Sequence, residues 1–275
     1  MKLYALSDLH LGYAINREAL TTMPAYPEDW LIVAGDVGET EAHLHFAFTI
    51  LSQRFARVIW TPGNHDLWTM PTDRSQLRGV AKYERMVAIC REYGVLTPED
   101  AYVQWPGDGK PYVLAPLFTL YDYSFRPDHV PADQALDWAA ETNVICSDEK
   151  LLYPDPYPSR EAWCAARCNY TERRLQELSP STPTILINHF PLREELVRLR
   201  YIPRFSLWCG TKRTHDWHTR FAAAVVIYGH LHIRTTDWRD NVRFEEASLG
   251  YPKQWNQSRS IASYLREILP GPPSP

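Results

Sequence analysis

No stretch of this chain is long and apolar enough to cross a bilayer. Its first residues, Met1-Lys2-Leu3-Tyr4-Ala5-Leu6-Ser7, turn polar too soon for a secretory signal, so a cytoplasmic protein is expected. Cysteine is scarce: five residues, an odd number with no close CxxC pair, argue against a disulfide framework. Basic residues are not in excess. Lys and Arg number 29 against 33 Asp and Glu, a formal net charge of −4, so no general basic character points to nucleic acid. No long basic stripe suits a nuclease either. Internal repeats and clear linkers are also missing, so the 275 residues are expected to form one domain. What is abundant is core material: 45% of residues are hydrophobic, with 10 Trp and 16 Tyr among the aromatics.

Short apolar runs alternate with stretches of helical spacing. Leu3 to Leu6 reads as a strand, followed by the polar loop Ser7-Asp8-Leu9-His10-Leu11-Gly12. Trp30 to Ala34 reads as a second buried strand, stopping at Gly35-Asp36-Val37-Gly38. Glu41 to Phe55 repeats apolar residues at Leu44, Phe48 and Leu51, and leads to a third strand, Ala56 to Trp60. Pro62 and Gly63 end that strand. Strand–helix–strand order argues for βαβ units. Arg74 to Tyr93 has helical spacing, with Asp73 as its cap and Gly94 as its stop. Tyr112 to Ala115 reads as a strand, and Leu117 to Phe125 as its aromatic continuation. The Pro-rich, charged stretch that follows holds one helix around Asp133 to Thr142. Residues at about 117–158 therefore read as a cap or lid. Ser159 is placed to cap a helix reaching Leu178, with Cys164, Cys168, Thr171, Leu175 and Leu178 on one stripe. Those two cysteines read as buried apolar residues rather than ligands. Thr184 to Ile187 and Ala222 to Tyr228 are further strands. Arg234 to Trp238 and Val242 to Leu249 resemble a hairpin turning at Asp240-Asn241, and Leu269 to Pro275 is expected to fray.

Five strand patterns end in metal-type ligands: Asp8-x-His10, Gly35-Asp36, Gly63-Asn64-His65-Asp66, Asn188-His189 and Gly229-His230-x-His232. One such motif is ordinary turn chemistry. Five in the same context are not, because random placement would scatter these residue types over helices and loops. Asp8, Asp36 and Asn64 offer oxygens, and His10, His189, His230 and His232 offer imidazoles, a set suited to two metal ions. Mixed oxygen and nitrogen donors without Cys favour Mn²⁺, Fe or Zn²⁺ over Ca²⁺ or an Fe–S cluster. One carboxylate would bridge the pair, and Gly35 would let it approach closely. Two such ions can clamp a phosphoryl group and activate water. His65 is left as a non-ligand imidazole, free to stabilise the transition state or protonate a leaving oxygen. Asp66 is a candidate to orient His65, and equally a turn residue.

In this order, the five motifs resemble the calcineurin-like metallophosphoesterase superfamily. The resemblance implies an α/β fold, a β-sandwich flanked by helices in four layers, with both metals at the sheet edge. It implies one metal on Asp8, His10, Asp36 and His232, and a second on Asp36, Asn64, His189 and His230. It gives His65 the general-acid or oxyanion role. No expected ligand is missing, which counts against a non-catalytic binding module of the same fold. A narrower resemblance, to the phosphopantetheinyl hydrolase branch, covers most of the chain. It rests on Glu28 to Val37, Leu120 to Phe125, Asp155 to Cys164, Phe205 to Thr211 and Val242 to Glu246. That branch implies a phosphodiesterase releasing 4′-phosphopantetheine from the serine of holo-acyl carrier protein. A general small-molecule phosphodiesterase or phosphatase, for cyclic nucleotides for example, is the alternative.

Between the last two motifs, Arg193 to Arg220 holds seven basic residues (Arg193, Arg198, Arg200, Arg204, Lys212, Arg213, Arg220) and three acidic ones. This segment is a candidate basic rim for an acidic carrier, and equally a surface of mixed ion pairs. Tyr121, Tyr123, Phe125 and Trp208 are candidates to line a groove for the pantetheine arm, with core packing the competing role. His215 and His218 read as surface or supporting residues rather than ligands, given the full set elsewhere. Neither membrane nor nucleic-acid partners are expected, and the sequence leaves the oligomeric state open.

Overall fold

The computed structural model describes residues 1–271. The strands are β1 (Leu3–Leu6), β2 (Tyr26–Val33), β3 (Phe55–Trp60), β4 (Val103–Gln104), β5 (Val113–Pro116), β6 (Thr184–Ile187), β7 (Ala223–Tyr228), β8 (Thr236–Arg239), β9 (Val242–Glu246) and β10 (Arg266–Leu269). The helices are α1 (Ala14–Thr21), α2 (Glu41–Arg54), α3 (Gly79–Glu92), α4 (Ala135–Ala140), α5 (Asp148–Leu151), α6 (Arg160–Gln176) and α7 (Trp217–Arg220). They build two sheets, ordered β10-β1-β2-β3 and β4-β5-β6-β7-β9-β8. β1, β2 and β3 run parallel, as do β5, β6, β7 and β9; the antiparallel strands β10, β4 and β8 stand at the edges.

Strand side chains alternate faces, and the core divides accordingly. Leu3, Ala5, Ile32, Ala34 and Ile59 of one sheet meet Leu114, Ile185, Ile187, Val225 and Ile227 of the other. Their alternates Leu6, Leu31, Val33, Val58, Leu186 and Val226 face away, into a larger core with helix residues such as Phe48, Met86 and Trp163. The result is the helix-flanked sandwich expected. Ser159 caps α6 by accepting from Ala162 N–H at 3.2 Å. Cys164 and Cys168 are buried and free. Asp240 and Asn241 take positive φ at the hairpin turn, which suits a tight two-residue loop.

Several expectations are corrected. Asp73 does not cap α3, which starts at Gly79; its carboxylate instead takes the buried Lys82 Nζ at 3.1 Å. Leu117 to Phe125 does not extend β5: it has no regular strand, and Leu117, Phe118, Leu120, Tyr121 and Phe125 are buried in the large core. β10 is an added strand, antiparallel to β1 with Leu3 opposite Leu269. Leu269, placed in the fraying tail, is therefore paired, whereas residues 272–275 of that tail lie outside the described chain.

Candidate metal centre

Parallel strands present their C-terminal ends at one edge, and the candidate ligands leave from those ends. Asp8 and His10 follow β1, Asp36 follows β2, Asn64 follows β3, His189 follows β6, and His230 and His232 follow β7. A parallel bridge between Ser7 and Ser248 ties the edges of the two sheets together. The structure gathers three overlapping groups, each with ligand atoms within 4.8 Å of one another: Asp8, His10, His232; His10, Asp36, His65; and Asp36, His189, His230. Asn64 joins the third group, its Oδ1 lying 3.3 Å from His189 Nε2. All seven expected ligands thus converge, and Asp36 is shared between neighbouring groups.

The backbone is bent to achieve this. Asp8, His10, Asp36, His230 and His232 have φ of 54°, 44°, 53°, 69° and 54°. Left-handed backbone disfavours residues with a Cβ and costs on the order of 1–3 kcal/mol each, so holding five candidate ligands there is strain that the surrounding structure must offset. Gly63 is required for a different reason: a Cβ there would stand 2.1 Å from Asp36 Oδ1. Gly35, expected to let a carboxylate approach, instead makes room for a candidate ligand ring: at φ +87° a Cβ there would stand 2.6 Å from His189 Nδ1 and from Gly63 N.

Supporting bonds aim the ligands. Asp8 Oδ2 accepts from Ser7 Oγ (2.6 Å), Ser248 Oγ (2.7 Å) and His230 N–H (3.0 Å), which leaves Oδ1 toward His232. His189 Nδ1 donates to Ala34 O at 2.8 Å, which leaves Nε2 with the free lone pair, and His232 Nδ1 donates to Gln254 Oε1 at 2.6 Å, which turns its Nε2 toward Asp8 Oδ1 at 2.9 Å. Burial holds His10, His189 and His230 below the ordinary imidazole range, which favours the neutral ring a metal needs. Burial works against a charged His232, but the Asp8 carboxylate outweighs it and raises that ring. Asp36 is pushed well above the usual range by burial, then by Asp8 and Asp66. Cations among these carboxylates would remove that penalty. His230 Nε2 is buried with no hydrogen-bond partner among the described residues, as a ligand nitrogen would be. The donor set and this orphaned nitrogen fit a two-metal centre.

His65 stands beside the cluster, its Nε2 4.0 Å from Asp36 Oδ2. Its ring stacks on Trp68 at 3.7 Å, and Nδ1 meets Glu39 Oε1 at 3.2 Å. The orienting carboxylate is therefore Glu39 and not Asp66. Asp66 instead accepts four backbone N–H groups, from Asp36, Val37, Gly38 and Gly63, and clasps two ligand loops together. Three further residues escaped the sequence reading. Tyr251 stacks on His10 at 4.3 Å and brings its hydroxyl to 3.5 Å from His65 Nε2. Glu39 and Asp148 are the others; Asp148 accepts from Asn64 Nδ2 at 2.9 Å.

A cleft of about 350 Å³ opens over the cluster, walled by Trp68, Ile145, Ile202, Phe205 and Tyr251. None of the expected substrate-binding residues lines it. Tyr121, Tyr123, Phe125 and Trp208 are core residues, and Tyr123 Oη and Trp208 Nε1 both donate to Glu149 Oε1. Arg193 pairs with Asp240 and Glu195, Arg204 with Glu141, Lys212 with Asp128, and Arg213 with Asp122. The basic segment is therefore largely neutralised by its own surface acids, the mixed-pair alternative.

Residues 1–234 match the calcineurin-like phosphoesterase family, and the chain belongs to it. Among characterised relatives, it is 47% identical over 272 residues to the [acyl-carrier-protein] phosphodiesterase PptH of Mycobacterium tuberculosis, covering 98% of this chain and 84% of that one. The crystal structure of phosphopantetheinyl hydrolase (PptH) from Mycobacterium tuberculosis matches with a TM-score of 0.94, over 98% of this chain and 96% of that one.

Proposed function

We propose that this chain is a dinuclear-metal phosphodiesterase that hydrolyses 4′-phosphopantetheine from the serine of holo-acyl carrier protein. The observation that carries the reading is 47% identity to an acyl-carrier-protein phosphodiesterase along almost the whole chain. The converged Asp, Asn and His cluster supports the same chemistry. Asp8, His10, Asp36 and His232 would hold one ion, and Asp36, Asn64, His189 and His230 the other. Mn²⁺ or Fe suits these donors, with Zn²⁺ the third choice. When bound, such a pair polarises phosphoryl oxygens and makes water a competent nucleophile. Water adds across the bond from phosphorus to the serine oxygen: its oxygen stays on phosphorus, and the serine oxygen leaves with a proton. We assign that proton to His65, whose ring Trp68 and Glu39 hold in place. A cytoplasmic location is in keeping with five free, buried cysteines.

Intact-mass analysis of purified holo-carrier incubated with the protein and Mn²⁺ tests the reading. The carrier should lose the mass of the phosphopantetheinyl group, and free phosphopantetheine should appear. An unchanged carrier alongside turnover of a small diester would identify a small-molecule phosphodiesterase instead. No turnover of either, with no bound metal, would leave a binding module.

A further inference from the structure

We propose that Asp148 is a positioning residue: one buried carboxylate oxygen fixes which end of the Asn64 amide faces the metal site and, through Trp68, holds the plane of His65. Asp148 is fully buried and begins α5, in the stretch the sequence suggested as a lid. Its Oδ1 accepts from Asn64 Nδ2 at 2.9 Å and from Trp68 Nε1 at 2.7 Å.

The chemistry makes this contact directional. An amide has two nearly isosteric ends, and only the oxygen can bind a metal ion. A carboxylate oxygen accepts hydrogen bonds and cannot donate them, so it selects the NH₂ end of Asn64. The amide oxygen is then left on the other side, 3.3 Å from His189 Nε2. Indole Nε1–H can only donate, so Trp68 is held by the same atom, and its ring lies 3.7 Å from that of His65.

Asp148 is itself held. Arg160 of α6 donates Nη2 to Asp148 O at 2.8 Å, Nε to Leu152 O at 2.9 Å and Nη1 to Glu149 Oε2 at 2.8 Å. Thr69 N–H donates to Leu151 O at 2.9 Å, so the stretch after His65 is tied to α5 by backbone as well as side chain. α5 is thus a strut behind the metal site.

The inference rests on reading Asn64 as a ligand, and its test uses metal binding rather than turnover of the carrier. Mn²⁺ binding is measured by equilibrium dialysis with elemental analysis on wild type, Asn64→Ala, Asp148→Leu, the double variant and Asp148→Asn. Asp148→Leu removes the acceptor and should weaken the second Mn²⁺ by tenfold or more. Asp148→Asn keeps an acceptor oxygen and should restore most of that affinity. The double variant should be no weaker than Asn64→Ala, because both changes act through one amide. Thermal melts verify folding, and Asp148→Ala replaces the leucine variant if that one does not fold. Two Mn²⁺ ions at wild-type affinity in Asp148→Leu, or losses that multiply in the double variant, would overturn the proposal while leaving the function reading intact. Wild-type binding in Asn64→Ala would overturn the ligand reading itself.

Discussion

At the scale of single residues, the site separates side chains that would hold metal from side chains that would serve the substrate. His65 belongs to the second kind: its Nδ1 faces Glu39, while Nε2 faces the cleft near the Tyr251 hydroxyl. His65→Ala is therefore expected to keep two metals by elemental analysis and to lose roughly 10²–10⁴-fold in turnover, the usual contribution of a positioned acid. Glu39→Gln should lose less, and adding it to His65→Ala should cost little further turnover, since its one contact to the site is that ring, its other oxygen pairing with His43 at 3.4 Å. Metal lost in His65→Ala, or an additive double variant measured by kcat on a small diester, would contradict this arrangement. The sequence made the ligands legible because each sits directly after a buried strand. Glu39 lies further from its strand, Tyr251 follows β9 but is not a metal-type side chain, and Asp148 lies in a Pro-rich stretch far from Asn64. Of the two roles open to Asp66, adjacency suggested contact with His65, but its carboxylate turns to backbone N–H groups, as in the turn alternative.

At the scale of elements, α6 and its neighbours carry the site's support. Ser159 at the α6 N-terminus accepts from Ala162 N–H, and α6 supplies the Arg160 that straps α5. Ser159→Ala should destabilise the fold by about 1 kcal/mol, the typical value of a lost cap, read as a lower midpoint in urea unfolding. Glu99 ties the loop after α3 to α6, with Arg167 at 2.7 Å and the Tyr83 hydroxyl at 2.6 Å. Burial raises the Glu99 carboxyl, but Arg167 and the hydrogen bonds from Tyr83 and Tyr170 outweigh it and hold it below its ordinary 4.5. Its stabilisation is therefore present above pH 4.5 and is lost as pH falls through the lower folded value. Glu99→Gln should thus unfold more easily than wild type at pH 7, and the gap should narrow as unfolding is repeated toward pH 3. A constant gap would mean the pair acts through packing alone. Apolar periodicity and the Ser159 cap made α6 legible. The start of α3 was not, because Asp73 turns its carboxylate to Ser75 and to Lys82 Nζ, and the helix starts instead at Gly79, whose backbone packs against Asp155 more than seventy residues on. β10 was hidden for a related reason: its partner β1 lies at the other end of the chain.

At the scale of the molecule, the metal centre is where the two sheets meet. Asp8, His10, Asp36 and Asn64 extend from the sheet of β1, β2 and β3, whereas His189, His230 and His232 extend from the sheet of β6 and β7. Neither sheet alone carries the full ligand set proposed for either ion. Metal binding should therefore cross-link the sandwich and stabilise the fold by mass action, about 2.7 kcal/mol per site at a free metal concentration one hundred times Kd. Chelation should lower the melting temperature, and added Mn²⁺ should restore it in a concentration-dependent way. The origin of the effect is tested by ligands from opposite sheets. Asn64→Ala and His230→Ala should each blunt the response to Mn²⁺, although the two side chains leave different sheets. His65→Ala, which removes no assigned ligand, should retain the full response. A melting temperature indifferent to chelation in protein shown to have carried two metals would mean that the sheets are already locked by their shared core of Leu3, Ile32, Ile185 and Ile227. Metal would then serve the chemistry without holding the fold.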